Sequence, residues 1–597
     1  MQPAAWPEPD PLVASAIAAK YRGKRPRPLA VQIRDRLGQW LDDEEFASVF
    51  GIRGRPGWSP SRLALVTVLQ RAEKLTDRAA ADAVRNHLDW QYLLGLPLDD
   101  PGFDDSVLAE FRARVAEGGL EQVVLDRLLE RLAAGGLVKA AGKQRTDSTH
   151  VEAAVASLNR LELAGESVRA ALEALAAAQP HWLEQRICVP DFTSRYGTPM
   201  TSWRPPQSQK KRDELAIAYA RDGYGLLEAV YHPSSPPWLR ELPSVDVLRL
   251  VLVQNYTRVT NADGTEVIKR REKAPEGDGL PPGHLRIASP YDTDARWGVK
   301  RDTFWLGYKL HVTETCDDAP ACDCCPQSGS EQEQDADGGR GSKREPEHRK
   351  GCAKLVFPNL ITNVATTDAT ITDNQMTDVI HGQLAARNLL PGQHYEDSGY
   401  LSAAIVVAAL TTWGVALTGP LLADTSAQAR AGNGYARAAF TVDYDTGTVT
   451  CPQGKTSASW SPCTQRGQAA AVATFSSTDC GPCPVRNLCT TSSKNRRQLT
   501  ILPRELAEAQ QTARTAETTA GYRADYARRA GVEGTMNQAA TRGARRARYR
   551  SLPKTRLDHT FMAVALNLLR LEAYWNGNPL DRRRTTHLAR LELHLAA

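Results

Sequence analysis

The segment GQHYEDSGYLSAAIVVAALTTWGVALTG, residues 392–419, decides the fold class of this chain. Its beginning has the composition of a short strand that ends at Asp397, and an apolar run typical of a helix follows. The last five residues, VALTG, again suit a strand. A strand, a helix and a second strand in immediate succession are the unit from which mixed α/β cores are built. We therefore predict an α/β core around this segment.

Further strands are predicted upstream of it. The segments KQRTDST (143–149) and NLITNVAT (359–366) are short and strand-like. FWLGYKLHVT (304–313) alternates large apolar and polar residues, as a half-buried strand does. These strands place the first part of the core within residues 140–420, with the mostly helical stretch 150–300 as an excursion from it.

The regions on either side of the core differ in their predicted secondary structure. Residues 1–135 are predicted to be helical, because Ser59 precedes Pro60 as an N-cap and Thr76 precedes a second apolar-periodic run. Short helices joined by tight turns resemble a helix-turn-helix domain that binds DNA, although a plain helical packing domain would have the same pattern. Residues 421–502 are predicted to be a β-rich insertion, and residues 503–597 are predicted to be helical.

Composition excludes several classes of protein. The chain has 597 residues, of which 42% are apolar and 24% charged, as in ordinary globular proteins. No run approaches the roughly 18 apolar residues of a membrane-spanning helix. The first residues lack a basic segment followed by an apolar one, so a signal peptide is not expected. The predicted location is the cytoplasm.

Positive charge is concentrated in one region. The whole chain has a net charge of only +5. Between Arg523 and Arg556, however, ten basic residues are opposed only by Asp525 and Glu533. Such a focused patch predicts a polyanionic partner, and the alternative is a solvated helix face. The basic residues are Arg523, Arg528, Arg529, Arg542, Arg545, Arg546, Arg548, Arg550, Lys554 and Arg556.

Eleven cysteines in a cytoplasmic chain do not indicate disulfides. Cys480 and Cys483 form a C-x2-C pair, with Cys489 after it and Cys451 before it. Four thiolates at such spacing predict one tetrahedral structural Zn2+ site. Cys463 could replace one ligand, and free thiols in a loop-rich region are the alternative.

A second group of cysteines lies mostly in the polar, Gly-rich stretch 317–351. That stretch has no apolar periodicity, so we expect a flexible insertion, in which a metal site is the less favoured interpretation. The cysteines of this group are Cys316, Cys322, Cys324, Cys325 and Cys352.

Acidic residues at strand ends are candidates for catalysis. Asp147 and Asp397 each end a predicted strand, where carboxylates can converge on a common ion, although single aspartates there are often turn formers. Tyr526, Arg529 and Glu533 have the spacing of one helix face. That face could bind phosphate, or it could simply carry an Arg529–Glu533 ion pair exposed to solvent.

These blocks together resemble a known family. TDSTHV, then SPYDTDARWG with GYKLHVTETC, then YEDSGYLSA, and finally Y-x2-R-x3-E are similar, in this order, to the blocks of DDE-type transposases of bacterial insertion sequences. The resemblance extends from about Phe46 to Trp575. The CPxG and C-x2-C-P-x-R-x2-C elements resemble the cysteine motif of this branch. The family has an RNase H-like core, an N-terminal helical region assigned to DNA binding, and a β-rich insertion before the glutamate.

The resemblance implies a reaction and its residues. Asp147, Asp397 and Glu533 match the catalytic triad, which would bind two Mg2+ or Mn2+ ions. Tyr526 and Arg529 match the rest of the glutamate signature, with Arg529 expected to hold the scissile phosphate. The implied partners are double-stranded DNA, both transposon ends and target, and a second copy of the chain, in a dimer on DNA in the bacterial nucleoid. The residues expected to bind DNA phosphates are Tyr526, Arg529, Arg542, Arg545, Arg546, Arg548, Lys554 and Arg556.

Two departures from the family pattern matter. The signature often has a lysine seven residues after the glutamate, where this chain has Ala540, and Arg542 is the nearest basic residue. The spacing of 250 residues from Asp147 to Asp397 is also long for this pattern. The predicted activity is cleavage of DNA at inverted repeats followed by strand transfer. The alternatives are a catalytically silent DNA-binding regulator derived from a transposase and, with less support, a simple nuclease.

Overall fold

The computed structural model gives a mixed α/β fold, as the sequence predicted. The stretch 318–356, which holds four of the second group of cysteines and nearly all of the expected flexible loop, lies outside the described residues. Cys316, the remaining member, is buried at the end of a strand. The structure describes residues 6–23, 26–51, 57–202, 206–272, 279–300, 302–317, 357–465 and 467–578.

The strands fall into a central sheet and smaller sheets. In chain order they are β1 (Lys143–Glu152), β2 (Tyr256–Thr260), β3 (Glu266–Arg270), β4 (Arg296–Lys300), β5 (Thr303–Thr315), β6 (Ile361–Asp368), β7 (Gln393–Tyr395), β8 (Ala416–Thr418), β9 (Thr441–Asp443), β10 (Thr448–Thr450), β11 (Ser459–Gln465), β12 (Gln468–Thr474) and β13 (Gln498–Ile501).

The central sheet is built around β1. On one side β1 pairs with β5 in antiparallel fashion, and β5 pairs antiparallel with both β4 and β6. On the other side β1 pairs in parallel with β7, which pairs in parallel with β8. All the strands predicted for the core are therefore present, and they belong to one sheet.

The register of β1 and β7 decides where the two aspartates lie. Arg145 on β1 is paired with Tyr395, the last residue of β7. Asp147 and Asp397 each follow two residues later along strands that run in the same direction. Because neighbouring strands are only about 4.8 Å apart, the two carboxylates emerge side by side.

The N-terminal helices share a hydrophobic core with this sheet. Ser59 and Thr76 accept the predicted capping bonds, from the amides of Arg62 and Ala79. Buried residues of these helices pack in one cluster with the central sheet and the last described helix. The helices are α1 (Pro11–Lys20), α2 (Leu29–Leu37), α3 (Pro60–Glu73), α4 (Asp77–Asn86), α5 (Leu88–Leu94), α6 (Ser106–Glu117) and α7 (Val123–Ala134).

The excursion after β1 is largely helical, as predicted, and has its own hydrophobic cluster. The hairpin of β2 and β3 follows its last helix. The helices are α8 (Arg160–Ala178), α9 (Pro180–Glu184), α10 (Val189–Tyr196), α11 (Gln209–Tyr231) and α12 (Pro243–Asn255).

Two helices connect the strands of the second half of the sheet: α13 (Met376–Ala386) after β6, and α14 (Ala403–Ala408), continued by a π-helical turn over Ala409–Trp413, after β7. The β-rich insertion follows and contains the short helices α15 (Ala427–Arg430), α16 (Ser477–Cys480) and α17 (Arg486–Cys489). A small cluster centred on Phe440 and Phe475 forms its core.

The C-terminal region is helical, but one detail of the prediction is wrong. Tyr526, Arg529 and Glu533 do not lie on one regular helix. Tyr526 ends a helix, Arg529 lies in a 3-10 turn over Ala527–Ala530, and Glu533 lies in the next helix. None of the described helices is long and apolar enough to span a bilayer. The helices are α18 (Arg504–Glu517), α19 (Ala520–Tyr526), α20 (Gly531–Thr541) and α21 (Leu552–Trp575).

Candidate active site

Local backbone bonds fix the two aspartates. The amide of Ser148 donates to Oδ1 of Asp147 at 2.8 Å, and the amide of Gly399 donates to Oδ1 of Asp397 at 2.9 Å. Each carboxylate is thus anchored by the chain just beyond it.

One guanidinium brings the three predicted catalytic carboxylates together. Nη2 of Arg529 lies 2.9 Å from Oδ1 of Asp147 and 3.6 Å from Oδ2 of Asp397. Nη1 of the same side chain lies 2.9 Å from Oε1 of Glu533. Residues from β1, from the loop after β7 and from α20 therefore meet at a single positive charge.

The charged side chains of the site differ in their exposure to solvent. The side chains of Asp147 and Arg529 are each 14% exposed, that of Asp397 is 30% exposed and that of Glu533 is 63% exposed. Burial raises the pKa of Asp147 above its usual value, opposed by the charge of Arg529. Burial acts to lower the pKa of Arg529, but Asp147, Tyr526, Asp397 and Glu533 together raise it. A partly desolvated carboxylate depends strongly on its cation.

A buried ion network holds these elements in place. Glu314 on β5 is fully buried, and its Oε1 accepts from Nε of Arg145 at 2.8 Å. Its Oε2 accepts from Nη1 of Arg570 on α21 at 2.8 Å and from the hydroxyl of Thr535 on α20. Because Thr535 is two residues after Glu533, and Arg145 two before Asp147, the network ties the glutamate helix to the aspartate strand.

Gly531 is part of the same arrangement. A Cβ at this position would lie only 2.1 Å from Nη1 of Arg145, so only glycine allows the guanidinium to pack against α20. Arg145 also donates to the carbonyl of Arg528, the residue before Arg529. The start of α20 and the position of Arg529 are therefore set by one buried arginine.

The sequence interpretation missed three titratable residues near the site. Lys309, Asp373 and Glu396 are at most 14% exposed, and Glu396, next to Asp397, is fully buried. Burial raises the pKa of Glu396 to about 8, and its Oε1 has no hydrogen-bond partner among the described residues. Lys309 belongs to the GYKLH block and Glu396 to the YEDSGY block, so only Asp373 lacked any signal.

The donor set suits hard divalent cations, although the structure does not gather the ligands around such an ion. Among the described parts of the chain, no group of three or more His, Cys, Asp or Glu side chains is arranged to hold a metal ion. Three carboxylates around one point are nevertheless the chemistry that Mg2+ or Mn2+ requires. In the structure, the positive charge in contact with these carboxylates is that of Arg529.

Tyr526 lies beside this site rather than in it. Its ring stacks on that of Tyr522, with centroids 5.8 Å apart. Burial raises the pKa of Tyr526, opposed by the charge of Arg529 and supported by those of Asp397, Asp147 and Glu533.

Several of the predicted DNA-binding arginines make contacts within the protein. Nη1 of Arg542 donates to the carbonyl of Ala72 at 2.7 Å, and Nε of Arg556 donates to the carbonyl of Thr366 at 3.0 Å. Arg548 forms an ion pair of 3.1 Å with Asp77. These three side chains tie the C-terminal region to the N-terminal helices and to the sheet. Their role in binding phosphate stays a prediction.

Other basic residues lie on the surface near β1. Arg545 and Arg546 are exposed, and Lys554 is partly exposed. Nε of Arg545 donates to the hydroxyl of Thr149, two residues after Asp147, at 3.1 Å. Arg546 forms a backbone bridge with Glu152 at the end of the same strand. Positive charge therefore extends from the carboxylate site along β1.

The four predicted zinc ligands line one small cavity in the β-rich insertion. Its volume is about 30 Å³, and Cys451, Cys480, Cys483 and Cys489 all contribute to its wall. Burial raises the pKa of the Cys489 thiol, and the other three thiols add to this shift. Cys463 lies on β11 and does not line the cavity. The four thiols are neighbours, but their role as metal ligands stays a prediction.

Two family models match segments of the chain. Residues 450–572 match the model described as a transposase DDE domain, and residues 24–114 match the model described as a transposase domain, DUF772. These matches support the resemblance of the chain to DDE-type insertion-sequence transposases. No curated protein and no solved structure matches it.

The two matched segments differ in which residues of the candidate site they contain. The DDE-domain match includes Glu533, Arg529 and the four cysteines, and the other match covers most of the N-terminal helices. Asp147 and Asp397 lie outside both. Their assignment depends on their place in the sheet and on their contacts with Arg529.

Proposed function

We propose that this transposase binds the inverted-repeat ends of an insertion sequence, cleaves phosphodiester bonds there by two-metal-ion chemistry, and joins the 3′-OH ends to target DNA. The observation that carries the proposal is the meeting of Asp147, Asp397 and Glu533 at the guanidinium of Arg529. Carboxylates from three separate elements around one positive charge form a site for cations and phosphates. The DDE-domain match, which includes Glu533, supports the same reaction class.

The order of strands supports an RNase H-like core. The antiparallel group β1, β5 and β6 continues through β1 into the parallel pair β7 and β8. This arrangement resembles the core that the family is expected to have. It brings one aspartate from the central strand and one from the neighbouring parallel strand to the same end of the sheet.

Asp147, Asp397 and Glu533 are the residues that would hold Mg2+ or Mn2+. When bound, such ions would supply activation of the attacking oxygen and stabilisation of the leaving 3′ oxygen. The attacking oxygen is first that of water, which nicks the end of the element, and then the freed 3′-OH, which attacks target DNA in line. Arg529 can bind a phosphate through two parallel hydrogen bonds. When it turns toward the scissile phosphate, it leaves the carboxylates to the cations.

The partner in this proposal is double-stranded DNA. Arg545 and Arg546, which contact β1 at Thr149 and Glu152, and Lys554 are proposed to hold phosphates that flank the scissile bond. The N-terminal helices, within the second matched segment, are the proposed end-binding region. Joining two ends to one target requires two active sites, so the proposed assembly is a dimer on DNA.

The four cysteines are proposed to bind one structural Zn2+. Their convergence on a single small cavity and the C-x2-C spacing support this. Thiolates are stable next to one another only when a cation balances their charge. Arg497, which lies on the wall of the same cavity, would add to that balance.

A cleavage assay tests the proposed reaction. A labelled duplex carrying the inverted repeat that flanks the gene is incubated with the full-length protein and Mn2+ or Mg2+. Metal-dependent nicking at the repeat boundary is expected for the wild type, and a loss of at least a hundredfold for Glu533→Gln and Asp147→Asn. Glu505→Gln, an exposed glutamate on α18, is the matched control and should cleave as the wild type does.

Other outcomes of that assay have clear meanings. Sequence-specific binding of the duplex without cleavage by any of the proteins would favour a catalytically silent regulator derived from a transposase. Cleavage that persists in Glu533→Gln would show that another residue supplies the third carboxylate.

A further inference from the structure

Asp373 is a fourth carboxylate at the edge of the active site. It begins a 3-10 turn over Asp373–Gln375, shortly after β6. The hydroxyl of Ser148 donates to its Oδ1 at 3.2 Å, and Nζ of Lys309 lies 3.2 Å from the same oxygen. The side chains of Asp373 and Lys309 are each only 14% exposed. This is a partly buried ion pair with defined partners.

The carboxylate of Asp373 lies between the chain segments that carry the two proposed catalytic aspartates. A Cβ on Gly399 would lie 3.0 Å from Oδ1 of Asp397 and 3.2 Å from Oδ2 of Asp373, so the two carboxylates face each other across a residue without a side chain. On its other side, Asp373 holds Ser148, whose amide anchors Asp147. One side chain therefore connects the chain segments that carry Asp147 and Asp397.

Lys309 fixes this connection to the sheet. It lies on β5, where it pairs with His150 on β1 and with Thr367 on β6. Its ammonium also donates to the carbonyl of Ile371 at 2.7 Å, which holds the loop before Asp373 against the sheet. Lys309 thus sets the direction of the Asp373 carboxylate, with Oδ1 toward itself and Ser148 and Oδ2 toward Gly399.

We infer that Asp373 and Lys309 are positioning residues that set the separation of Asp147 and Asp397, and with it the affinity of the site for divalent cations. This inference rests on the proposed function. The physical reason is that a carboxylate ligand binds a cation well only when its own hydrogen bonds hold it in the required direction. Partners of this kind change metal affinity by about 10–100-fold when they are removed.

The test is a titration of Mn2+ into the complex of full-length protein with the inverted-repeat duplex, in which free Mn2+ is measured by its EPR signal. Asp373→Asn should raise the half-saturating Mn2+ concentration at least about tenfold, with little change in affinity for the duplex. Lys309→Met should have a similar effect, and Lys309→Arg should restore part of the affinity. Asp378→Asn is the matched control: this aspartate is exposed and accepts from Nε1 of Trp413, away from the site.

The outcomes separate this inference from the proposed function. If Asp373→Asn lowers the thermal stability or the active fraction but leaves the Mn2+ affinity of the folded protein unchanged, the role is only structural and the inference is wrong. If Asp373→Asn does not fold, Ser148→Ala, which removes one hydrogen bond and no charge, should still raise the half-saturating concentration severalfold, and an unchanged value overturns the inference. The proposed function itself fails in either of two cases: the wild type binds no Mn2+, or its Mn2+ binding is unchanged in Asp147→Asn.

Discussion

Replacement of Arg529 by glutamine should destabilise the metal-free protein and make its active site a better binder of cations. In the structure Arg529 is the only cation in contact with Asp147, Asp397 and Glu533 among the described residues. Glutamine is shorter than arginine, and its amide is polar but carries no charge. Without the charge of Arg529, three neighbouring carboxylates repel one another. The most buried of them, Asp147, then has no cation to balance its charge.

The expected loss of folding free energy follows from how exposed each ion pair of Arg529 is. Asp147 and Arg529 are both 14% exposed, and breaking such a pair from one side costs about 3 kcal/mol, the lower end of the range for buried pairs. The pair with Glu533, which is 63% exposed, adds less than about 1 kcal/mol. The loss should shrink as pH falls, because burial already raises the pKa of Asp147 and a protonated carboxyl no longer needs a cation.

The assay is thermal unfolding of wild type and variant at pH 7.5 and pH 5, each with EDTA or with Mg2+. We expect the variant to unfold at a lower temperature in EDTA at pH 7.5, and Mg2+ to raise its unfolding temperature more than that of the wild type. A cation present at about 100 times its Kd stabilises by about 2.7 kcal/mol, which would offset most of the loss. Arg528→Gln is the control, because Arg528 forms a partly exposed pair with Asp525, and its loss should cost about 1 kcal/mol or less.

One result would refute this reasoning. If the variant lost the same stability at both pH values and Mg2+ stabilised it no more than the wild type, then Arg529 would contribute packing rather than charge. The three carboxylates would then not form a common cation site.

Three further predictions concern other parts of the molecule. Glu314→Gln should lower the free energy of unfolding by about 3–5 kcal/mol, measured in urea, because it leaves Arg145 and Arg570 near a neutral group in a buried network, whereas Glu505→Gln should change it by less than about 0.5 kcal/mol. Glu396→Gln should be as stable as the wild type near pH 5 and more stable near pH 9: the folded-state pKa of about 8 exceeds the ordinary value of 4.5, so ionisation of the wild-type residue destabilises the fold as pH rises through that window. Removal of Zn2+ with a strong chelator, or Cys480→Ser, should lower the unfolding temperature of the β-rich insertion, while Cys463→Ser should not change the zinc content measured by mass spectrometry.

The sequence could predict the aspartates because their signal is local. Asp397 follows the short strand β7, whereas Asp147 was expected to end its strand but lies within β1, which continues to Glu152. The pairing of Arg145 with Tyr395 brings both to the same region of the sheet. The strand–helix–strand unit at residues 392–419 was likewise predicted from local sequence. The caps at Ser59 and Thr76 were predictable for the same reason, since each depends on residues no more than three positions away.

The sequence could not predict contacts between distant segments. Helical spacing suggested that Arg529 shares one face with Tyr526 and Glu533, but Arg145 packs against Gly531 and the chain changes to a 3-10 turn before it. Arg542 and Arg548 looked like free positive charge, yet they bind Ala72 and Asp77, each more than 400 residues away in sequence. A charged side chain does not reveal from sequence alone whether a distant carbonyl or a phosphate satisfies it.

The contacts of Arg145 explain how the site can change its cation without losing its shape. Arg145 bonds to Glu314 on β5 and to the carbonyl of Arg528, while Glu314 also binds Thr535 and Arg570. These buried bonds fix the backbone on both sides of Arg529 but make no contact with its guanidinium, whose Nε has no partner among the described residues. The side chain of Arg529 can therefore turn toward a phosphate while Asp147 and Glu533 keep their places. Under the proposed function, this network would keep the backbone of the site in place while the carboxylates that Arg529 contacts exchanged its charge for that of metal cations.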